Sequence, residues 1–165
     1  MTTPHEIPTA HPYRPDGWEH DIYGMPTFPM IAASDLAASS RWYQDVLGFA
    51  DVFTMRGPDN RPLLAHLRWS KWADVLITQA RVPVEPPRGR GITLNFMTLD
   101  VDALAERARA AGANVLEGPV DRPWNARDFT IADPDGYRLN FTGPSSSAAR
   151  MSFDEVIERA RKSNG

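Results

Sequence analysis

RPWNARDFTIADPDGYRLNFTG, residues 122–143, decides the fold. Its centre, Asp-Pro-Asp-Gly at 133–136, is strong turn chemistry: proline presets one backbone angle, aspartates bond their own backbone, and glycine takes the left-handed position. Apolar runs flank that turn, so strands are expected at about 128–133 and 137–142. Side chains alternate across a strand, which sets Leu139 and Phe141 on one face and Arg138 and Asn140 on the other. Upstream, ITLNFMT (92–98) reads as a strand with Thr93, Asn95 and Met97 opposite Leu94 and Phe96. Between them lies a helix of about 101–111, with Val101, Leu104, Ala105 and Ala108 on one stripe and Gly112 as its stop. A short strand at about 114–117 follows.

The same order occurs earlier, around FPMIAASDLAASSRWYQDVLGF (28–49). A strand at 28–33 leads to Ser34, a suitable N-cap, with Asp35 at the positive end of the helix dipole. The helix spans 35–46 and places Leu36, Trp42, Tyr43 and Val46 at helical spacing before Gly48. Strands are expected at about 49–55, 63–69 and 73–79. The Pro- and Gly-rich link VPVEPPRGRG (82–91) separates the halves. Two copies of one strand-helix-strand unit imply an internal duplication. The organisation expected is an irregular extension at 1–27, a paired domain at 28–143 with modules of about 28–80 and 91–143, and a linker with a C-terminal helix at 144–165. Prolines 4, 8, 12, 15 and 26 break the extension, while Ile7, Tyr13, Trp18, Ile22 and Tyr23 offer apolar anchors for a partner surface. Near the C-terminus, Ser152 and Glu155 form a capping box, with Phe153, Val156, Ile157 and Ala160 as the stripe of a helix over 152–162.

The segments 28–49 and 122–143 resemble the two ends of the vicinal oxygen chelate family, which takes in glyoxalases, ring-cleaving dioxygenases, epimerases and bleomycin-type resistance proteins. The resemblance covers roughly residues 27–143 and implies an α+β fold of paired βαβββ modules. Enzymes of that family hold a divalent metal through His and Glu on strands near these signatures. Here the corresponding places carry Phe28, Thr93 and Asn140, and the strand at 73–79 offers only Asp74 and Gln79. An amide, a hydroxyl and a phenyl ring are poor ligands for a catalytic divalent ion, so no metal and no other cofactor is expected. At Pro123-Trp124, leading to Arg127-Asp128-Phe129, the chain most resembles the bleomycin-type resistance proteins. Those proteins hold flat heteroaromatic parts of a drug with aromatic side chains in a groove between two subunits. The resemblance thus implies an aromatic small-molecule ligand and a homodimer with its site at the subunit interface.

Composition narrows the alternatives. The chain has 165 residues, 42% hydrophobic and 24% charged, enough for one buried core. Its net charge of −3 and lack of basic clusters argue against a nucleic-acid partner. No run approaches the roughly 18 apolar residues of a membrane span, and the first residues lack a signal pattern. Without cysteine there are no disulfides or thiolate nucleophiles. A cytoplasmic location and no membrane partner are therefore expected. The charge is also mild for a binder of cationic bleomycin-like drugs. Arg127 and Arg138 can serve a neutral or anionic aromatic compound, or simply pair with neighbours such as Asp128 or Asp133.

No Gly-x-Ser-x-Gly elbow occurs, and RGRG at 88–91 precedes a strand and lacks Walker spacing. Asp133 and Asp135 are turn formers first. His5, His11 and His20 lie in the extension without a zinc-ligand spacing. His66, mid-strand beside Leu64 and Arg68, reads as either a satisfied sheet residue or a pocket donor. Trp69 and Trp72 flank a turn; Trp42 belongs to the helix stripe. The candidate ligand-binding set is Phe28, His66, Trp69, Trp72, Thr93, Asn95, Trp124 and Asn140, with burial as the competing role for the tryptophans. The function expected is metal-independent sequestration of an aromatic natural product, giving antibiotic resistance by drug binding. A superfamily enzyme acting without the usual metal is the alternative.

Overall fold

Each half of the chain runs strand, helix, three strands. A computed structural model describes residues 14, 17–19, 22–25, 27–83, 85 and 87–145, with 154, 155, 158 and 162 beyond them. The first module comprises β1 (Met30–Ala33), α1 (Leu36–Trp42) with a π-helical continuation (Tyr43–Leu47), β2 (Ala50–Arg56), β3 (Pro62–Ser70) and β4 (Ala73–Gln79). The second comprises β5 (Thr93–Met97), α2 (Val101–Ala110), β6 (Asn114–Asp121), β7 (Ala126–Ala132) and β8 (Arg138–Pro144). The sheets are ordered β1-β4-β3-β2 and β5-β8-β7-β6. The first strand of each pairs parallel with the last, and the other pairs are antiparallel. This is a pair of βαβββ modules of the α+β class.

Both helices start and stop alike. Asp35 and Asp100 cap α1 and α2 by accepting the amide three residues on, and Gly48 and Gly112 close them with φ of 84° and 72°. The expected cap, Ser34, is displaced by one residue. Its hydroxyl and amide are both given to Asp135 of the second module, at 2.6 and 3.0 Å, which leaves Asp35 to serve the helix. Strand β6 also outruns its expected end, because register shifts around Glu117–Val120 break the alternation that marks a strand in the sequence. The helix expected over 152–162 falls largely outside the described residues.

Register sorts the side chains of each sheet. On one face of the first sheet Ile31, Ile77 and Ala65 align, beside Val75 and Leu67. The second sheet aligns Leu94, Leu139 and Ile131, and then Phe96, Phe141 and Phe129. These rows and the helices form one continuous core. Trp69 joins the halves, its ring centroid 5.1 Å from Phe141 and 5.3 Å from Phe49. Burying such a side chain stabilises the fold by about 1.5–3 kcal/mol.

The turn that decides the fold also clasps the modules. Asp133 accepts the Tyr43 hydroxyl at 3.0 Å and the amides of Asp135 and Tyr137 at 2.9 Å each. Burial pushes the Asp133 carboxyl above the usual carboxylate range, against the pull of those bonds. Burial, reinforced by Asp133, raises the Tyr43 hydroxyl well above its ordinary value. Asp133 and Asp135 are thus turn formers that also hold the first module to the second.

Candidate functional site

The faces turned away from the core differ in character. On the first sheet that face carries the row Met30, Leu76, His66, Phe53 and the row Ala32, Thr78, Leu64, Met55. Met30, Phe53 and Met55 are 59%, 47% and 44% exposed, so the face is apolar and open. On the second sheet the matching rows are Thr93, Arg138, Ala132 and Asn95, Asn140, Thr130. There the face is polar, and its amides are chained. The Asn140 amide donates to Asn95 Oδ1 at 3.1 Å, and the Thr130 hydroxyl donates to Asn140 Oδ1 at 3.0 Å.

Where the starts of β1 and β4 approach β5, a cavity of about 430 Å³ opens. Phe28, Trp72, Asp74, Thr93 and Asn95 line it. Four residues of the candidate set therefore share one concavity, and Asn140 is tied to its rim through Asn95. His66 connects through Asp74, its Nε2 lying 2.6 Å from Asp74 Oδ2. Arg68 grips the same carboxylate from the other side, Nε to Oδ1 at 2.8 Å and Nη2 to Oδ2 at 2.7 Å. Strand alternation put Arg68 beside His66, and the β3–β4 hairpin pairs Arg68 with Asp74. The Arg68–Asp74 pair is legible from that register but absent from the candidate set.

Tyr23 is a further contributor that sequence reasoning assigned elsewhere. It was expected to anchor a partner surface, but it packs on its own chain. Its ring lies 4.2 Å from that of Trp72, its hydroxyl accepts the Trp72 amide at 2.7 Å, and the Arg68 guanidinium sits 4.4 Å over it. Trp72 itself is 55% exposed at a left-handed φ of 69°.

Two tryptophans of the candidate set lie apart from this cavity. Trp69 is 4% exposed, and its indole donates to the Met97 carbonyl at 2.6 Å. Strand parity turns it to the core face, opposite His66, so it is a packing residue between modules and reaches no groove. Trp124, in the β6–β7 connection, is 59% exposed and does not line the cavity. Arg127 is occupied by Asp102 at 2.8 Å and Asp121 at 3.3 Å rather than by the neighbours expected.

The groups standing at the family's ligand places do not fit a divalent cation. The Asn140 and Asp74 oxygens are committed to protein donors as above. The Gln79 carbonyl accepts the Leu36 amide and its nitrogen donates to Ser34 O. Among the described residues no three His, Cys, Asp or Glu side chains gather as a metal cluster. Nor, among those residues, is any helix long and apolar enough to cross a membrane.

Comparison with known proteins agrees with this architecture. The family model of the Glyoxalase/Bleomycin resistance protein/Dioxygenase superfamily matches residues 27–141. Lactoylglutathione lyase of Haemophilus influenzae is 30% identical over 132 residues, covering 74% of this chain and 94% of that protein. Among solved structures, TnmS3, an antibiotic binding protein from Streptomyces sp. CB03234, superposes with a TM-score of 0.58 at 25% identity, covering 75% of this chain and 98% of its own. TioX from Micromonospora sp. ML1 gives a TM-score of 0.62 at 23% identity, over 74% of this chain and 100% of its own.

Proposed function

We propose a small-molecule binding role for this chain, which belongs to the Glyoxalase/Bleomycin resistance protein/Dioxygenase superfamily. In this reading the protein sequesters a flat aromatic natural product, an antibiotic, without a metal. The observation that carries it is the cavity in which Trp72 and Phe28 supply aromatic surface while Thr93 and Asn95 supply hydrogen-bonding groups. Sequestration needs an apolar groove and a few orienting polar atoms, and no nucleophile. The likeness to an antibiotic binding protein favours the same reading.

A homodimer completes the proposal. The open apolar face around Met30, Phe53 and Met55 would cost least if shared with a second copy, and a two-fold assembly gives two equivalent sites. Native mass spectrometry with a panel of planar aromatic antibiotics tests both parts. One ligand per chain in a two-chain species is expected. A panel without a single bound member would overturn the drug-binding reading. Elemental analysis after chelator dialysis should find no stoichiometric transition metal.

The 30% identity to a lactoylglutathione lyase supports a second, enzymatic reading. In that reading His66, whose Nε2 lies 2.6 Å from Asp74 Oδ2, would carry the proton transfer. Formation of lactoylglutathione without added metal, lost in His66→Gln, would favour that reading over sequestration.

A further inference from the structure

The linker motif Arg-Gly-Arg-Gly at 88–91 is built as a rigid turn. Arg88 is 5% exposed and donates to the Ala32 carbonyl at 2.6 Å and the Ser34 hydroxyl at 2.7 Å, with Asp135 at 3.3 Å. Its own amide bonds Asp135 O at 3.1 Å, and the Ile92 amide closes the turn on Gly89 O at 2.9 Å. Gly89 has a φ of 66°, and a Cβ there would meet the Tyr137 ring at 2.6 Å, so only glycine fits.

Beside this turn lies a second cavity, of about 530 Å³. Three arginines line it, Arg88 and Arg90 from the turn and Arg138 from the start of β8, of which Arg88 is paired with Asp135; Asn114 adds an amide, and Leu116, Ala132 and Pro134 add apolar surface. Arg122 and Arg127 each contact two carboxylates. Among the described residues Arg90 and Arg138 contact none. The carboxylate in the lining, Asp133, is buried with its oxygens given to Tyr43, Asp135 and Tyr137. The neighbouring Asp135 is held by Ser34 and Arg88. The cavity therefore presents positive charge that no acid of the lining neutralises.

We propose that this cavity is a site for a small organic acid, its carboxylate met by Arg90 and Arg138 and its hydrocarbon part resting on Leu116 and Pro134. A planar guanidinium matches a carboxylate in two parallel hydrogen bonds, and such charge-assisted bonds are the strong ones. The apolar wall selects an acid with a ring or alkyl body over a bare inorganic anion. The site shares no lining residue with the 430 Å³ cavity, so it stands or falls apart from the antibiotic-binding reading.

The test uses the full chain, with 2-naphthoate and its neutral isostere 2-naphthamide as probes, read by titration calorimetry. The acid should bind at least about tenfold more tightly than the amide, the worth of one charge-assisted pair. Arg138→Gln and Arg90→Gln should each weaken the acid by about tenfold and leave the amide unchanged. Both side chains are exposed, so these variants should fold, and unaltered melting curves would verify it. Trp72→Gly should not affect naphthoate, which keeps the two cavities distinct. Equal affinity for acid and amide, or full naphthoate affinity in both arginine variants, would overturn the proposal. So would a loss caused by Trp72→Gly and not by Arg138→Gln.

Discussion

Trp69 and Trp72 stand three residues apart; the first is buried and the second exposed, and the proposed function gives them opposite work. Replacing each in turn should therefore separate folding from binding. Trp69→Phe removes the indole donor to Met97 O, a loss of about 0.5–1.5 kcal/mol for a part-buried hydrogen bond. It also vacates space among Phe49, Phe96 and Phe141. Full truncation of a buried aromatic costs about 3–5 kcal/mol, and phenylalanine keeps part of the ring, so roughly 1–2 kcal/mol is assigned to packing. The sum is about 1.5–3.5 kcal/mol, or a fall in Tm of roughly 3–14 °C for a chain of this size.

Trp72→Gly works differently. Losing the contact with Tyr23 costs about 0.5–1.5 kcal/mol, while relieving a side chain at positive φ returns about 1–2 kcal/mol. The amide that bonds the Tyr23 hydroxyl is retained. The two terms nearly cancel, so stability should change by less than about 1 kcal/mol. Affinity for a planar ligand in the 430 Å³ cavity should nevertheless drop by roughly 1–3 kcal/mol. Thermal melting and fluorescence titration of both variants, with a ligand found by native mass spectrometry, decide the matter. The division of labour is refuted if Trp72→Gly melts as early as Trp69→Phe while keeping full affinity.

Trp124→Ala should leave melting within about 0.5 kcal/mol of the parent, since the ring is exposed, and should weaken ligand binding by roughly 1–3 kcal/mol if it meets the drug; unchanged affinity removes it from the site. Sedimentation should find twice the 18.4 kDa chain mass at about ten micromolar, a modest working range for a stable dimer, and a lone monomer there refutes the assembly. Because the Tyr43 hydroxyl is raised, the folded chain keeps a proton that the unfolded chain releases. Its stabilising contribution is complete below about pH 10 and is lost as pH climbs beyond it. Tyr43→Phe should start about 1–2 kcal/mol less stable, with Asp133 short of one donor, yet show a flatter alkaline decline; an equally steep decline would contradict this account.

What the sequence disclosed and what it hid follow one physical division. Features set within a few residues were legible: turn chemistry at Asp133–Gly136, helix-stopping Gly48 and Gly112, and the period of two that puts Asn95 and Asn140 on one face. Features that depend on the two halves meeting were not. Ser34 looked like a cap because no local pattern announces an aspartate 101 residues away. Trp69 and Trp72 looked alike as aromatics at a turn, although parity already set Trp69 opposite His66. Only the second module supplies Met97 O and Phe141, which make that face an interior. The same meeting of halves gives the molecule its chemical asymmetry. An apolar sheet face carrying Met30 and Phe53 belongs to the first module, and a polar one carrying Thr93, Asn95 and Asn140 to the second. A flat ligand with polar edges needs both kinds of surface, and Trp72 and Thr93 line one cavity between the modules. The two halves are thus alike in path and different in solvent-facing chemistry, and the binding site proposed above would draw on that difference.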